Sequence, residues 1–407
     1  MNVPIPAQRF AETSSVQAPD FSELFASIAE GAAERDRERI HPYAIIDLIR
    51  QNRIGALRLS PAEGGYGISL RQLLGTVIRL AAADPNVAHA LRNHFAFVDR
   101  FARSPRAPNR EKWVTLVASG AIFGLGNTEL SSATIGGAPY ETRLTPDGDG
   151  YRLDGTKYYS TGTLYADHVI VRAAAPGDLA ASAIIPVTRE GVELVDDWDG
   201  AGQRLTGSGT TVLRNVRVEP DEVVLDTPAV GYGLPYANTL AQLLVTGIVA
   251  GILRNVLDDA VALLGSRKDR HFYYAAVPRA ADDPLLQGIV GEISAAAFAA
   301  ETVVLAAADA LDELTAARDA GRPAETLAQD AAAASAKAKL IVDELTLKNA
   351  SRLFDVGGAS ATKRVKNLDR HWRNARTLAS HNSGSLKAAA LGANVLTGAP
   401  LPSKGFF

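Results

Sequence analysis

The chain has 407 residues, 42 Lys and Arg against 45 Asp and Glu for a formal net charge of −3, and 47% hydrophobic residues. That length and apolar content exclude a disordered tail or a collagen-like polymer and give room for two or three domains of about 100–200 residues. Near-neutral charge offers no global field for nucleic acid or an anionic membrane, and a cysteine count of 0 removes disulfides, thiolate metal sites, iron–sulfur clusters and cysteine nucleophiles together.

Residues 1–20 mix prolines with polar side chains and lack the apolar stretch of a signal peptide, so they read as a loose leader, and a cytoplasmic protein is expected. The longest apolar segment, Leu240 to Leu253, is interrupted by Gln242, Thr246 and two glycines and falls short of the ~18 residues that cross a bilayer, so no membrane partner is expected. Over 21–120, apolar residues recur at helical spacing, as in Phe21, Leu24, Phe25 and Ile28, which predicts an N-terminal helical domain. Over 121–227 the pattern changes to short runs rich in β-branched residues, such as His168-Val-Ile-Val-Arg and Thr210-Thr-Val-Leu-Arg, divided by turns such as Asp154-Gly. This predicts a small antiparallel β domain. Over 228–407 the chain is alanine-rich, and the turn Gly321-Arg322-Pro323 separates long helices expected near 283–320 and 324–354, which predicts a helical bundle.

Several motifs are missing. Gly124-Leu-Gly126-Asn-Thr-Glu129 lacks the third glycine of a dinucleotide fingerprint, and GxxxxGK[ST], GxSxG and HExxH do not occur, so Rossmann, P-loop, hydrolase-elbow and zincin readings have no support. His89 and His94 are five residues apart on a predicted helix, about 140° around it, too divergent to clamp one metal ion. No metal site is expected. His41, His168 and His271 have no partner visible in the sequence. The stretch Lys363 to Arg376 holds six Lys and Arg with one Asp and reads either as a local anion site or as a solvated charged face. Directly before it, Gly357-Gly358-Ala359-Ser360 ends a predicted helix where backbone can approach a phosphate closely.

The order of these motifs resembles the acyl-CoA dehydrogenase superfamily: Pro61-Ala-Glu-Gly64-Gly65, then Asn127-Thr128-Glu129, then Gly155-Thr-Lys157-Tyr158-Tyr159-Ser160-Thr161, then Arg267 to Phe272 with Gln287, then the Gly357-Gly358 turn. Within it the chain is most similar to flavin-dependent monooxygenases of the dibenzothiophene monooxygenase type, through Asp196-Asp197-Trp198, Gly207-Ser-Gly-Thr210 and above all Arg370-His-Trp-Arg-Asn-Ala-Arg-Thr377 ending at His381. The resemblance implies an α+β multidomain fold: an N-terminal helical domain, a central antiparallel β-barrel-like domain and a C-terminal four-helix bundle, assembled as a homotetramer. It also implies a cofactor, reduced FMN from a separate NAD(P)H-dependent flavin reductase, with FAD as a second possibility through Arg267, Phe272 and Gln287. Reaction with O2 to a C4a-(hydro)peroxyflavin would then oxygenate a small apolar substrate, an organosulfur compound or an aromatic heterocycle.

By the same resemblance, Asn127 and Thr161 lie by the isoalloxazine, His381 contacts the flavin, and His89 faces the substrate, with His94 beside it. Thr128 and the backbone of Lys157, Tyr158, Tyr159 and Ser160 line the flavin, Asn93 stands where that pattern has a tyrosine, Arg270 matches a phosphate contact, and Ala359 and Ser360 stand at the glycine turn, Ser360 in place of an arginine. Each also has a structural use: His89 as a core histidine, Asn127 as a turn former, Thr161 as a strand-end hydroxyl. The alternative activity within the superfamily, an FAD-dependent acyl-CoA dehydrogenase, needs a carboxylate base. No Glu follows Glu344, and Tyr232 to Val256 contains no acid. A flavin-binding protein of the same fold without catalysis is the other alternative.

Overall fold

The computed structural model describes residues 18–130, 139–267, 271–405 and 407. Helices come first: α1 (Ser22–Ala29), α2 (Ala32–Glu38), α3 (Tyr43–Gln51), α4 (Leu70–Ala83), α5 (Pro85–Phe97) and α6 (Arg110–Ala118). Ser69 opens α4 with a reciprocal cap: its hydroxyl accepts the Gln72 N–H at 3.1 Å and the Gln72 side chain accepts the Ser69 N–H at 2.9 Å. Asp84 breaks the helix and starts the next, because its carboxylate accepts the Asn86 N–H at 3.0 Å and Pro85 has no N–H to satisfy. From Asn86 to Phe97 α5 is buried on every side, and it runs on into a single π turn, Val98–Ala102.

Eight strands follow: β1 (Phe123–Gly126), β2 (Arg143–Asp147), β3 (Gly150–Lys157), β4 (His168–Ala175), β5 (Leu179–Pro186), β6 (Val192–Val195), β7 (Thr210–Val218) and β8 (Val223–Leu225). They form one sheet in the order β6-β7-β3-β2-β4-β5-β8, with β1 beside β4. The pairings are antiparallel except that β1 and β2 run parallel to β4, a refinement of the fully antiparallel expectation. Alternation along the strands buries both faces: Ile170, Ile184 and Val224 pack with Phe97 and Trp113, and Val169, Val171 and Ala183 pack with Leu153 and Val216.

The C-terminal part is a bundle of α7 (Thr239–Gly265), α8 (Pro284–Asp319), α9 (Glu325–Gly357) and α10 (Arg370–Ala379), with α11 (Gly384–Thr397) against α9 and α4 against α7. Leu243, Leu244, Ile248 and Leu253 of α7 are fully buried, each contributing about 1.5–3 kcal/mol. Glycine is required at 251, where a Cβ would sit 2.4 Å from the Ile78 carbonyl oxygen of α4. By length and composition α7 and α8 each reach what a bilayer crossing needs, which the search for an uninterrupted apolar run does not register; in α7, 78% of that window is buried in the bundle.

Candidate functional site

A cavity of about 560 Å³ opens where α5, the sheet and the start of α7 meet, and Arg92, Asn93, Asn127, Tyr140, Gln242 and His381 are among its walls. Arg92, Asn93, Ala96 and Arg100 reach it from one stripe of α5 and its π turn at spacings of three and four. On the sheet side the wall includes Leu125, Asn127, Tyr140 and Arg172; a bridge between Thr128 and Tyr158, whose N–H donates to the Thr128 carbonyl at 2.9 Å, joins the Asn127 loop to the loop that follows β3. Glu129 anchors the first loop. Its carboxylate accepts the N–H groups of Glu141 and Thr142, both at 2.8 Å, and pairs with Lys157 Nζ at 2.6 Å. Burial pulls the Lys157 amine down to about 8, against the opposing pull of Glu129.

The second loop presses onto α5. Gly162, at φ 84°, approaches so closely that a Cβ there would lie 2.3 Å from the Ala90 carbonyl oxygen. Next to it, the Thr161 carbonyl accepts the Asn93 side-chain amide at 3.0 Å, and the Thr161 hydroxyl accepts from Ser208 Oγ at 3.0 Å. The chain of contacts continues both ways. Ser208 meets Thr206 at 2.7 Å, Thr206 donates to the Gln203 carbonyl at 3.0 Å, and Gln203 Oε1 accepts from His89 Nδ1 at 3.1 Å. In the other direction Arg92 Nη2 donates to Asn93 Oδ1 at 3.1 Å and Arg92 Nη1 to His381 Nε2 at 3.1 Å. One buried network of neutral groups and a single guanidinium therefore joins helix, loop and bundle.

A guanidinium only donates, so His381 Nε2 accepts and the imidazole is neutral. Burial, then the charge of Arg92, pushes its pKa down to about 3. Burial lowers Arg92 itself to about 10. Asn127 accepts from the Tyr140 hydroxyl at 3.3 Å. Tyr159 holds φ 56° and is 56% exposed, its ring edge-on to Trp198, while Ser160 is buried with its hydroxyl unpartnered. Asp226 is the carboxylate on the cavity wall, and it is committed to Arg172 and to the Tyr232 N–H at 3.0 Å.

The structure thus brings Asn93, Asn127 and His381 to one cavity, whereas Thr128 and Lys157 to Thr161 are not among its walls and belong to the adjoining loops joined by the Thr128–Tyr158 bridge. Several expectations are corrected. His89 does not line the cavity: its ring turns to Gln203, Nε2 is buried without a partner, and burial holds its pKa well below the usual histidine value. His94 is not beside a substrate at all. Its Nε2 faces the Gly55 carbonyl at 3.0 Å and its Nδ1 accepts the Phe123 N–H at 3.3 Å, so both nitrogens are used in the core. Ala359 and Ser360 are far from the cavity. Gly357 packs near Leu263 at the end of α7, some 30 Å along that helix from Gln242, and Ser360 accepts from Arg267 at 3.2 Å. Arg270 lies outside the described residues.

The basic run divides: Lys363, Arg364 and Arg376 are solvent-exposed, and the arginines between them are taken up by acids. Arg370 and His371 both bond Asp259, at 2.8 and 2.7 Å, and Arg373 bonds Asp36 at 2.8 Å, fastening α10 to α7 and α2. A smaller cavity of about 290 Å³ lies among these paired groups. His41 and His271 also have acidic partners, Asp196 at 2.9 Å and Asp283 at 2.8 Å. Among the described residues no group of three or more His, Asp or Glu is placed to hold a metal. Sequence reading missed Arg92 and Gln203. The sequence offered little signal for the first, one polar residue among Asn86, His89, Asn93 and His94 of the same helix, and the second needs a contact spanning 114 residues.

Residues 243–385 match the family described as acyl-CoA dehydrogenase, C-terminal domain. The chain is 30% identical over 387 residues to a dibenzothiophene monooxygenase of Mycolicibacterium goodii, covering 90% of this chain and 88% of the relative. Among solved structures it is similar to FMN-bound TdsC from Paenibacillus sp. A11-2, at TM-score 0.84 and 28% identity over 95% of this chain and 99% of that one. It is equally similar to the methanesulfinate monooxygenase MsuC from Pseudomonas fluorescens, at TM-score 0.84 and 28% identity over 95% and 98% of the two chains.

Proposed function

The chain belongs to the flavin-dependent monooxygenases built on the acyl-CoA dehydrogenase fold, and from that premise we propose that it uses reduced FMN and O2 to oxygenate a small, largely apolar substrate. Its volume, about 560 Å³, lies within the range of small-molecule sites. Asn127 and His381 on the wall of the cavity fit a neutral polar heterocycle, and with Thr128 and the backbone of Tyr158 to Thr161 from the adjoining loops they would hold the flavin. On the wall itself Arg92 Nε is buried with no partner among the described residues, consistent with a bound small molecule that completes it. When bound, reduced FMN supplies two-electron activation of dioxygen at its C4a edge.

The chain's own part is to position, to exclude water and to manage protons. The observation that carries the reading is the network from His89 to His381, which contains one guanidinium and no carboxylate, together with the engagement of Asp226 by Arg172. A desaturase requires a carboxylate free to take a proton, and the carboxylate on this wall is held in an ion pair. His381, neutral at Nε2 and fixed by Arg92, is placed to pass a proton without adding charge to the cavity.

Among the described residues no α-helix lies between β1 and β8, a pattern unlike a Rossmann unit, and reduced flavin would come from a separate NAD(P)H-dependent reductase in the cytoplasm. The same proposal includes a homotetramer assembled through the bundle, where α8 leaves Leu285 and Phe298 exposed at 77% and 74%. The test is mass-spectrometric. With photoreduced FMN and ¹⁸O₂, and with indole, dibenzothiophene and methanesulfinate as probes, one ¹⁸O atom should appear in at least one product. If all the oxygen is returned as hydrogen peroxide with every probe, the reading fails.

A further inference from the structure

Three arginines are buried in the described chain: Arg58, Arg92 and Arg172. Arg58 is paired with Asp99 at 3.0 Å, and Arg172 with Asp226. Arg92 pairs with no carboxylate among the described residues. It is 7% exposed, its two hydrogen bonds go to the neutral acceptors Asn93 Oδ1 and His381 Nε2, and its Nε is buried with no partner. A cation taken out of water without an anion is unfavourable, and a guanidinium is shaped to receive an oxyanion through two parallel N–H donors. Arg92 lines the 560 Å³ cavity, and Ala96, Leu125 and Ala241 supply apolar wall around it. Arg100, the neighbouring cation on the wall, is already engaged by the Ala237 carbonyl and the Tyr232 ring.

We propose that Arg92 is the anchor for an oxyanion on the substrate, so that this site takes a small organic acid with an apolar body, a sulfinate, sulfonate or carboxylate, in preference to a neutral heterocycle. The inference rests on the flavin-monooxygenase reading and narrows its substrate class. Arg92 sits between Asn93 and His381, both on the wall of that cavity, so the anion it receives would lie at the reacting end of the site. A flavin oxyanion is the competing source of the same chemistry, and the measurements separate the two.

The FMN-loaded chain is titrated calorimetrically with benzenesulfinate and with methyl phenyl sulfone, its uncharged counterpart. The charged probe should bind tighter by about tenfold or more. Arg92→Gln should abolish that preference while FMN affinity stays within about threefold, and Arg92→Lys, which keeps the charge but loses the planar fork, should retain part of it. A preference below tenfold in the unaltered chain overturns the proposal, and so does an Arg92→Gln variant that keeps the preference but loses FMN, which would give the cation to the flavin. The titration of the unaltered chain decides the matter even if Arg92→Gln does not fold. Repeating it without flavin separates the two readings: anion preference with no FMN binding sinks the cofactor assignment alone, and FMN binding with no anion preference sinks this one alone.

Discussion

Asn93 donates its side-chain amide to the backbone carbonyl of Thr161 across 3.0 Å, and through that bond the helix carrying Arg92 is tied to the loop that follows β3. Both residues are buried, and Gly162 allows the approach. Asn93→Ala leaves the Thr161 carbonyl and the Arg92 Nη2 donor without this partner. The expected cost is ~1–3 kcal/mol of stability, with weaker FMN binding. Urea unfolding and a flavin titration check it; unchanged values in both would remove the bond from the account of the site.

His94 predicts an acid response. Its Nδ1 accepts from Phe123 N–H and its Nε2 donates to the Gly55 carbonyl, so a second proton would set N–H against N–H. Burial pushes its pKa to about 4, from an ordinary value of 6.5. Burial likewise takes His371 to about 4 and His381 to about 3. Below pH 6.5 the unfolded chain takes up protons that these folded sites refuse. Their contribution is complete above 6.5 and is lost as pH falls toward 4 and 3. The thermal midpoint should therefore hold level above that pH and decline through the window below it, and His94→Gln, which keeps a donor and an acceptor but does not titrate, should make the decline shallower. An equal slope in the variant would refute the assignment.

What the sequence made legible follows from how local each feature is. Helix α8 is readable because Asp283 caps it, accepting the Leu285 N–H at 2.8 Å, and Pro284 opens it, so the expected start at 283 and the observed Pro284–Asp319 differ little. The runs at 168 and 210 appear as β4 and β7 because alternation is a local signal. The parallel placement of β1 and β2 beside β4 is not local, and no turn chemistry encodes it. For the site, Asn127 and His381 were reachable through motif order. The partner of His89, Gln203, and the acids that hold Arg370, His371 and Arg373, Asp259 and Asp36, are set by tertiary packing across long stretches of chain.

The Glu129–Lys157 pair makes a separate prediction. Both side chains are nearly inaccessible, at 4% and 0%, with Nζ and Oε1 2.6 Å apart. Glu129→Gln leaves a buried ammonium without its counter-charge and should cost ~3–5 kcal/mol, whereas removing both charges with Glu129→Gln and Lys157→Met should recover much of that. Denaturant midpoints of the two variants measure the difference. If the double variant is no more stable than the single one, the charge balance is not what holds the loop.

His381 offers the sharpest view of how protons are handled. Its Nε2 accepts from Arg92 at 3.1 Å, and with a pKa near 3 it stays neutral throughout the range in which an enzyme of this kind is assayed. The oxygenation rate should then show no break between about pH 5 and 8 that His381→Gln abolishes. His381→Ala removes both the proton carrier and one of the neutral partners of Arg92. The expected result is a loss of coupled turnover of ~10²-fold, with a larger share of the consumed O2 recovered as hydrogen peroxide. His381→Gln keeps an acceptor for Arg92 without an imidazole, so it divides the two roles. If Gln restores coupling, the residue acts by holding the guanidinium in place; if Gln leaks peroxide as Ala does, the imidazole itself handles the proton. An unaltered peroxide yield in both variants would take His381 out of the reaction.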